Sequence, residues 1–205
     1  MSPSLPAADA EPKVPVWKNP FVVAFVMGAV VLTVLPLLQR VFLKAPPPLR
    51  QLTSWELGSL GGGAVSSEAL AGHVVLLTFE NGPCDDGCLG RQRDFGTATR
   101  HVDDLKHPVT LVTLAGPSAR DGLAPLTEAA TPAWRFAAAD AQLTVQLQAA
   151  LDAFLPPPGA NFAASGGIAL IDQNNAVRGF WNGDIVGRGN SINAARLLAK
   201  EGPTP

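Results

Sequence analysis

Cys84 and Cys88 are the only two cysteines in a chain of 205 residues, and only Asp85-Asp86-Gly87 separates them. Two thiols this close can do two kinds of chemistry. They can cycle between dithiol and disulfide, exchanging two electrons with a partner. As thiolates they can hold a soft metal such as Cu(I). The pair is too small for a disulfide scaffold and cannot alone close a four-ligand zinc site. A structural staple is the plain alternative, but so short a loop removes little chain entropy and would add little stability. In a regular helix, Cβ atoms at i and i+4 lie about 5–6 Å apart, whereas a disulfide needs about 3.8 Å. Oxidation therefore requires Cys84 to sit in a loop or cap, a placement that Pro83 favours.

The elements on either side supply that placement. Val74-Val75-Leu76-Leu77-Thr78-Phe79 is a short apolar run stopped by Glu80-Asn81-Gly82-Pro83, which reads as a buried strand, His73 to Phe79, followed by a loop. A helix is expected from Cys88 to Leu105, with Leu89, Phe95, Val102 and Leu105 at near-helical spacing. Thiols at a strand–loop–helix junction meet the positive end of the helix dipole, which stabilises a thiolate; Asp85 and Asp86 oppose this.

Further along, Leu52–Leu57 reads as a first strand, Gly61–Gly63 as a turn and Ser66–Leu70 as a capped turn. Pro108–Leu114 and Gly166–Asp172 read as buried strands, Trp134–Ala137 as a short one, and Ala176–Trp181 as a hairpin partner to 166–172. Helices are expected over Ala119–Ala130, Ala141–Leu155 and Ser191–Lys200, the last with Ser191 as its cap. A β-α-β unit followed by a hairpin and a closing helix is thioredoxin-like topology, and its right-handed crossover puts the cysteine loop at a sheet end where sites collect.

Before this domain, residues 20–39 contain no charged side chain and include Phe-Val-Val-Ala-Phe-Val-Met-Gly-Ala-Val-Val-Leu-Thr-Val-Leu-Pro-Leu-Leu. That length suits one transmembrane helix. No small-x-small cleavage site follows directly, which argues for an uncleaved anchor rather than a signal peptide. The expected organisation is a disordered tail over 1–19, the span over 20–39, a proline-rich linker over 40–50, an α/β domain over 51–201 and a tail over 202–205. Lys13 and Lys18 precede the span while Arg40, Lys44 and Arg50 follow it, so the count of cations does not place the N-terminus in the cytoplasm. The formal net charge of −2 gives no electrostatic footprint for nucleic acid.

The three histidines, His73, His101 and His107, are expected away from the thiols. His73 opens the strand at its far end, His107 precedes another strand, and His101 lies about 20 Å along the helix from Cys88. Asn161 and Ser165 fall in the loop that should face the thiols and are poor Cu(I) ligands. Trp55 and Trp181 read as core or rim aromatics.

Taken together, these features resemble the SCO/SenC family of membrane-anchored, thioredoxin-like copper proteins. The resemblance rests on the N-terminal span, the proline-rich spacer, LTSWELGSLGG, the AGHVVLLTF strand, the Cys84-x-x-x-Cys88 spacing and GGIALIDQNNAVRGFW. It implies a thioredoxin-like fold held outside the cytoplasm by the anchor, on the periplasmic side. It implies Cys84 and Cys88 as copper ligands or a redox pair, and copper as the metal. The implied partner is an oxidase subunit or a thiol reductase, with a role as metallochaperone or thiol–disulfide oxidoreductase in assembly of a respiratory cytochrome oxidase. The family's histidine ligand, counted back from Asp172, falls on Ala164, so the third ligand is absent. The acidic loop that usually follows the second strand reads Leu114-Ala115-Gly116-Pro117. Two readings therefore stand beside copper handling: thiol exchange without stable copper binding, and a non-catalytic assembly module.

Overall fold

The computed structural model describes residues 19–42, 45–100, 105–154 and 166–201, with backbone alone at 35–42 and 98–100. The expected tails, His101, Asn161, Ala164, Ser165 and the prolines after Leu155 lie outside the described residues. The chain divides into two compact units between Lys44 and Ala45.

In the first unit, Pro20–Phe42 forms a helix, α1, of 23 residues. Its described side chains are apolar all round, and Phe21, Phe25 and Leu32 stand largely exposed. Among the described residues no helix is long and apolar enough to cross a membrane.

The second unit is built in the order β1 (Arg50–Gln51), β2 (Glu56–Leu57), β3 (Ser59–Gly61), β4 (Val65–Ser66), β5 (Val74–Glu80), α2 (Asp86–Arg100), β6 (Val109–Ala115), α3 (Arg120–Thr127), β7 (Trp134–Ala138), α4 (Ala141–Phe154), β8 (Ile168–Ile171), β9 (Ala176–Trp181) and α5 (Ile185–Glu201). One sheet runs β1-β9-β8-β5-β6-β7-β3, and β2 pairs with β4 separately. Strands β5, β6 and β7 are parallel; β8 runs antiparallel to β5, and β9 antiparallel to β8. This is the expected α/β, thioredoxin-like architecture.

Side chains of β5 alternate between two cores, as the period of a strand requires. Val74 and Leu76 pack with Phe95 of α2, Leu123 of α3 and Leu198 of α5. Val75, Leu77 and Phe79 pack on the other face with Leu143, Leu147 and Leu151 of α4 and with Leu52, Trp55 and Leu70. A strand covered on both faces must be apolar throughout, which is why its sequence does not alternate.

Two expectations shift. Leu52–Leu57 is not one strand: only Glu56–Leu57 pairs there, because the Thr53 N–H donates to Gln146 Oε1 and the Trp55 N–H to Ser67 Oγ. The closing helix begins at Ile185, not Ser191. Asp184 caps it, its Oδ1 accepting the Gly187 N–H at 2.6 Å, and Ser191 is buried inside, bonded to the Arg188 carbonyl.

The β8–β9 hairpin is held by Asp172. Its carboxylate accepts from the Asn174 and Ala176 amides and from Arg178 Nε at 2.6 Å. Arg178 Nη1 also donates to the Pro46 carbonyl, tying the proline-rich segment to the sheet. At the tip, Asn175 adopts a positive φ of 63° and its Oδ1 accepts from Trp55 Nε1. Removing one partner of a buried ion pair strands the other. Asp172→Ala should therefore cost about 3–5 kcal/mol in urea denaturation of the oxidised protein, and Asp172→Leu combined with Arg178→Met should cost less than the single change.

Candidate functional site

The junction of β5 and α2 carries both cysteines. Val74–Glu80 ends at Glu80, and α2 begins at Asp86, two residues before the expected start at Cys88. Asp85 is the cap: its Oδ1 accepts the Cys88 N–H at 2.9 Å, and its carbonyl accepts from Leu89. Cys84 thus precedes the helix while Cys88 lies in its first turn, the arrangement that geometry demands for a disulfide. The two are joined, with Cα atoms 5.2 Å apart. Cys84 is half-buried, whereas Cys88 is 3% exposed.

The electrostatics of this turn are a compromise. Free N–H groups at a helix N-terminus stabilise a thiolate. Here one of them, on Cys88 itself, is already taken by a carboxylate, which opposes a second negative charge nearby.

Behind the turn lies a chain of polar groups that sequence reasoning missed. Gln92 follows Cys88 by four residues, so it shares that face of α2. Its Nε2 donates to Glu80 Oε1 at 2.7 Å, and its Oε1 accepts from Thr113 Oγ1 at 3.1 Å. Thr113 Oγ1 in turn accepts from Trp134 Nε1 and Thr78 Oγ1. Gln92, Thr113 and Trp134 are buried, so this chain satisfies polar atoms that would otherwise be costly. It also ties α2 to three strands. The i+4 spacing from Cys88 was the available signal.

Two glycines make room for the cysteine loop. A Cβ on Gly122 of α3 would lie 2.3 Å from the Cys84 carbonyl oxygen, and one on Gly116 would lie 2.4 Å from Asn81 Oδ1. The Gly116 N–H donates to the Glu80 carbonyl. Gly116 therefore sits against the loop that leads to Cys84, and its lack of a side chain is a steric requirement.

Parallel pairing of β5 with β6 and the two reversals through β8 and β9 bring the 81–85 loop, Gly116, Gly166 and Asn182 to one end of the sheet. His73 is at the other end, its Nδ1 bonded to Thr110 Oγ1 at 2.8 Å. His107 is also there, its N–H donating to the Ala199 carbonyl. The length of β5 puts His73 about 20 Å from the thiols. Trp55 sits at that same far end against Asn175. Half-buried Trp181 ends β9 at the near end and covers Gly179. Among the described residues no cluster of three or more His, Cys, Asp and Glu could hold a metal. The donor set fits Cu(I) held by two thiolates and lacks the imidazole of a trigonal site.

No family model and no curated protein sequence matches the chain. Solved structures do. A SCO1/SenC family lipoprotein from Bacillus anthracis is similar at a TM-score of 0.51 and 16% identity, over 73% of this chain and 95% of that one. BsSco, a member of the Sco family of cytochrome c oxidase assembly proteins with a disulfide switch, is similar at 0.50 and 14%, over 76% and 99%. The fold is that of the SCO/SenC proteins. The resemblance read from the sequence holds at this level, that of the fold.

Two outcomes follow from this geometry. Gly122→Ala should destabilise the oxidised protein by about 1–3 kcal/mol and speed reduction of the disulfide by dithiothreitol. Gly90→Ala, where a Cβ meets nothing within 4 Å, should do neither. Separately, burial first and the Arg135 charge second lower the pKa of His73 from its ordinary 6.5. Between the folded value and 6.5 the unfolded chain binds more protons, so stability falls as pH drops through that window and is intact above it. Denaturation midpoints measured from pH 8 to 5 should show this decline, and His73→Gln should flatten it.

Proposed function

We propose that this is a membrane-tethered, SCO-like protein whose Cys84–Cys88 pair performs thiol–disulfide exchange and carries Cu(I) as cargo in its reduced form. Its setting is assembly of a respiratory cytochrome oxidase. The observation that carries the reading is the asymmetry of the pair: half-exposed Cys84 ahead of the helix, bonded to buried Cys88 within it. Of the two residues, Cys84 is the one an incoming group meets first.

Exchange then has a direction. A thiolate of the partner attacks Cys84 Sγ, the Cys84–Cys88 bond breaks, and Cys88 leaves as a thiolate in the first turn of α2. The partner's second thiolate attacks its own sulfur in the mixed disulfide and releases Cys84. Two electrons pass to the pair, the partner becomes a disulfide, and the two protons lost by its thiols are taken up by Cys84 and Cys88. The helix N-terminus lowers the cost of the leaving thiolate, and Asp85 limits that gain. Run in reverse, the same steps keep a partner's cysteines reduced. Once reduced, the two thiolates offer Cu(I) a two-coordinate site suited to transfer rather than storage.

The 23 residues of α1 amount to about 34 Å, against a bilayer core of roughly 30 Å. Its exposed apolar side chains support α1 as a single-pass anchor. The domain then stands on the oxidising side, where a disulfide persists. BsSco, which shares the fold, is an oxidase assembly protein with a disulfide switch, and a partner of that kind, an oxidase subunit or a thiol reductase, fits this site.

The test is a titration of the reduced protein with Cu(I) against a chromogenic chelator, paired with a redox titration. We expect one Cu(I) per reduced pair, lost in Cys84→Ser, and a measurable dithiol–disulfide potential. Equal copper uptake by the variant would exclude copper handling at this site. A pair that never reduces at accessible potentials would exclude exchange and leave the assembly-module reading.

A further inference from the structure

We propose that the pocket between α2 and α5, bounded by Arg91 and Arg188, receives an acidic side chain on the partner segment that exchanges with Cys84–Cys88. This rests on the thiol-exchange reading above and names what the partner must carry.

The pocket has a volume of about 450 Å³ and is bounded by Glu80, Arg91, Gln92, Phe95, Asp184 and Arg188, among others. It opens at the sheet end that bears the disulfide, since Glu80 ends β5 and Asp184 follows β9. Arg91 links the two places directly. A Cβ on Gly87, inside the turn between the cysteines, would lie 3.7 Å from Arg91 Nη1. A side chain seated against Arg91 is therefore attached to a backbone passing close to the cysteine turn.

The charges in this pocket are unevenly used. Glu80 accepts from Gln92, and Asp184 caps α5 through the Gly187 amide. Arg188 Nη1 donates to the Arg91 carbonyl at 3.0 Å, which leaves its remaining donors free for a ligand. Among the described residues neither Arg91 nor Arg188 has a carboxylate within ion-pair distance. Residues 155–165 contain no Asp or Glu. Glu80 and Asp184 weaken the field at long range, so recognition is by contact: a carboxylate gains when it reaches the guanidinium fork. Beside Asp184, Ile185 and Val186 are 81% and 70% exposed. They offer the same segment an apolar contact. The occupant is thus an extended stretch of a partner protein carrying its cysteine pair, one Asp or Glu, and an apolar residue.

The experiment uses oxidised full-length protein in detergent and a set of dithiol peptides. In each, Glu or Gln is stepped through the positions flanking the cysteines, and reduction of Cys84–Cys88 is followed by quenching with an alkylating agent and reading the mass added to the protein. At the best position the Glu peptide should react about tenfold faster than its Gln twin, the ratio expected of one charge-assisted contact. That ratio should collapse toward one in Arg91→Gln and in Arg188→Gln. Arg91 is exposed, so its variant stays informative if Arg188→Gln fails to fold. A ratio near one in the unmodified protein at every position, or a ratio that survives both variants, would overturn the proposal. Failure of dithiothreitol itself to reduce the pair would instead overturn the exchange reading, and this proposal with it.

Discussion

The structure depends on where β5 is made to stop. Its residues are hydrogen-bonded to β6 along one edge and to β8 along the other. From Val74 to Phe79 they are buried on both faces. A strand confined on four sides cannot slip by one residue without sending its whole apolar set to the wrong core. Its last pair, Glu80 with Ala115, is thereby fixed, and so is the point from which Asn81–Asp85 must turn. Asp85 then fixes the first turn of α2 by capping it at the Cys88 amide. Strand end and helix start together determine the separation of the two sulfurs. The pair needs no loop rigidity of its own.

That positioning carries an electrostatic cost. A bare helix N-terminus would stabilise a thiolate most, but a bare end also leaves orphan donors. The chain places Asp85 and Asp86 there instead, which secures the helix at the expense of the charge a leaving thiolate needs. The polar chain from Glu80 through Gln92 to Thr113 and Trp134 works the same way. It anchors α2 against the sheet by satisfied hydrogen bonds in addition to the apolar contact of Phe95, and it brings a carboxylate to the level of the turn. Both features hold in place the first turn of the helix, which carries Cys88.

How much of this was legible in the sequence follows from the range of the interactions involved. β5, β6 and the β8–β9 hairpin announce themselves because burial on both faces demands unbroken apolar runs, and the hairpin adds Gln173-Asn174-Asn175. The cysteine pair is visible because two thiols at that spacing have few uses. The start of α5 was hidden because Gly187 and Gly189 look like loop. Gly187 is needed because a Cβ there would lie 2.0 Å from the Asn182 carbonyl oxygen, a contact set by how the chain leaves β9. Likewise nothing local to Gly122 says that it abuts Cys84, more than thirty residues earlier in the chain. Trp55 and its neighbours failed as a strand for the same reason: their partners, Gln146 and Ser67, lie elsewhere in sequence.

The two ends of the sheet have accordingly been given different work. At the far end, Asp172, Arg178, Asn175 and Trp55 saturate one another, and the Arg178 guanidinium reaches back to Pro46. Polar groups there are buried and paired, which is what stability requires. At the near end, the described side chains include a half-buried sulfur, arginines without ion pairs and exposed Ile185 and Val186. Those are groups a fold would cover if it could, and leaving them open lowers its stability. The contrast within one sheet separates the part of the chain that holds the structure from the part it leaves open.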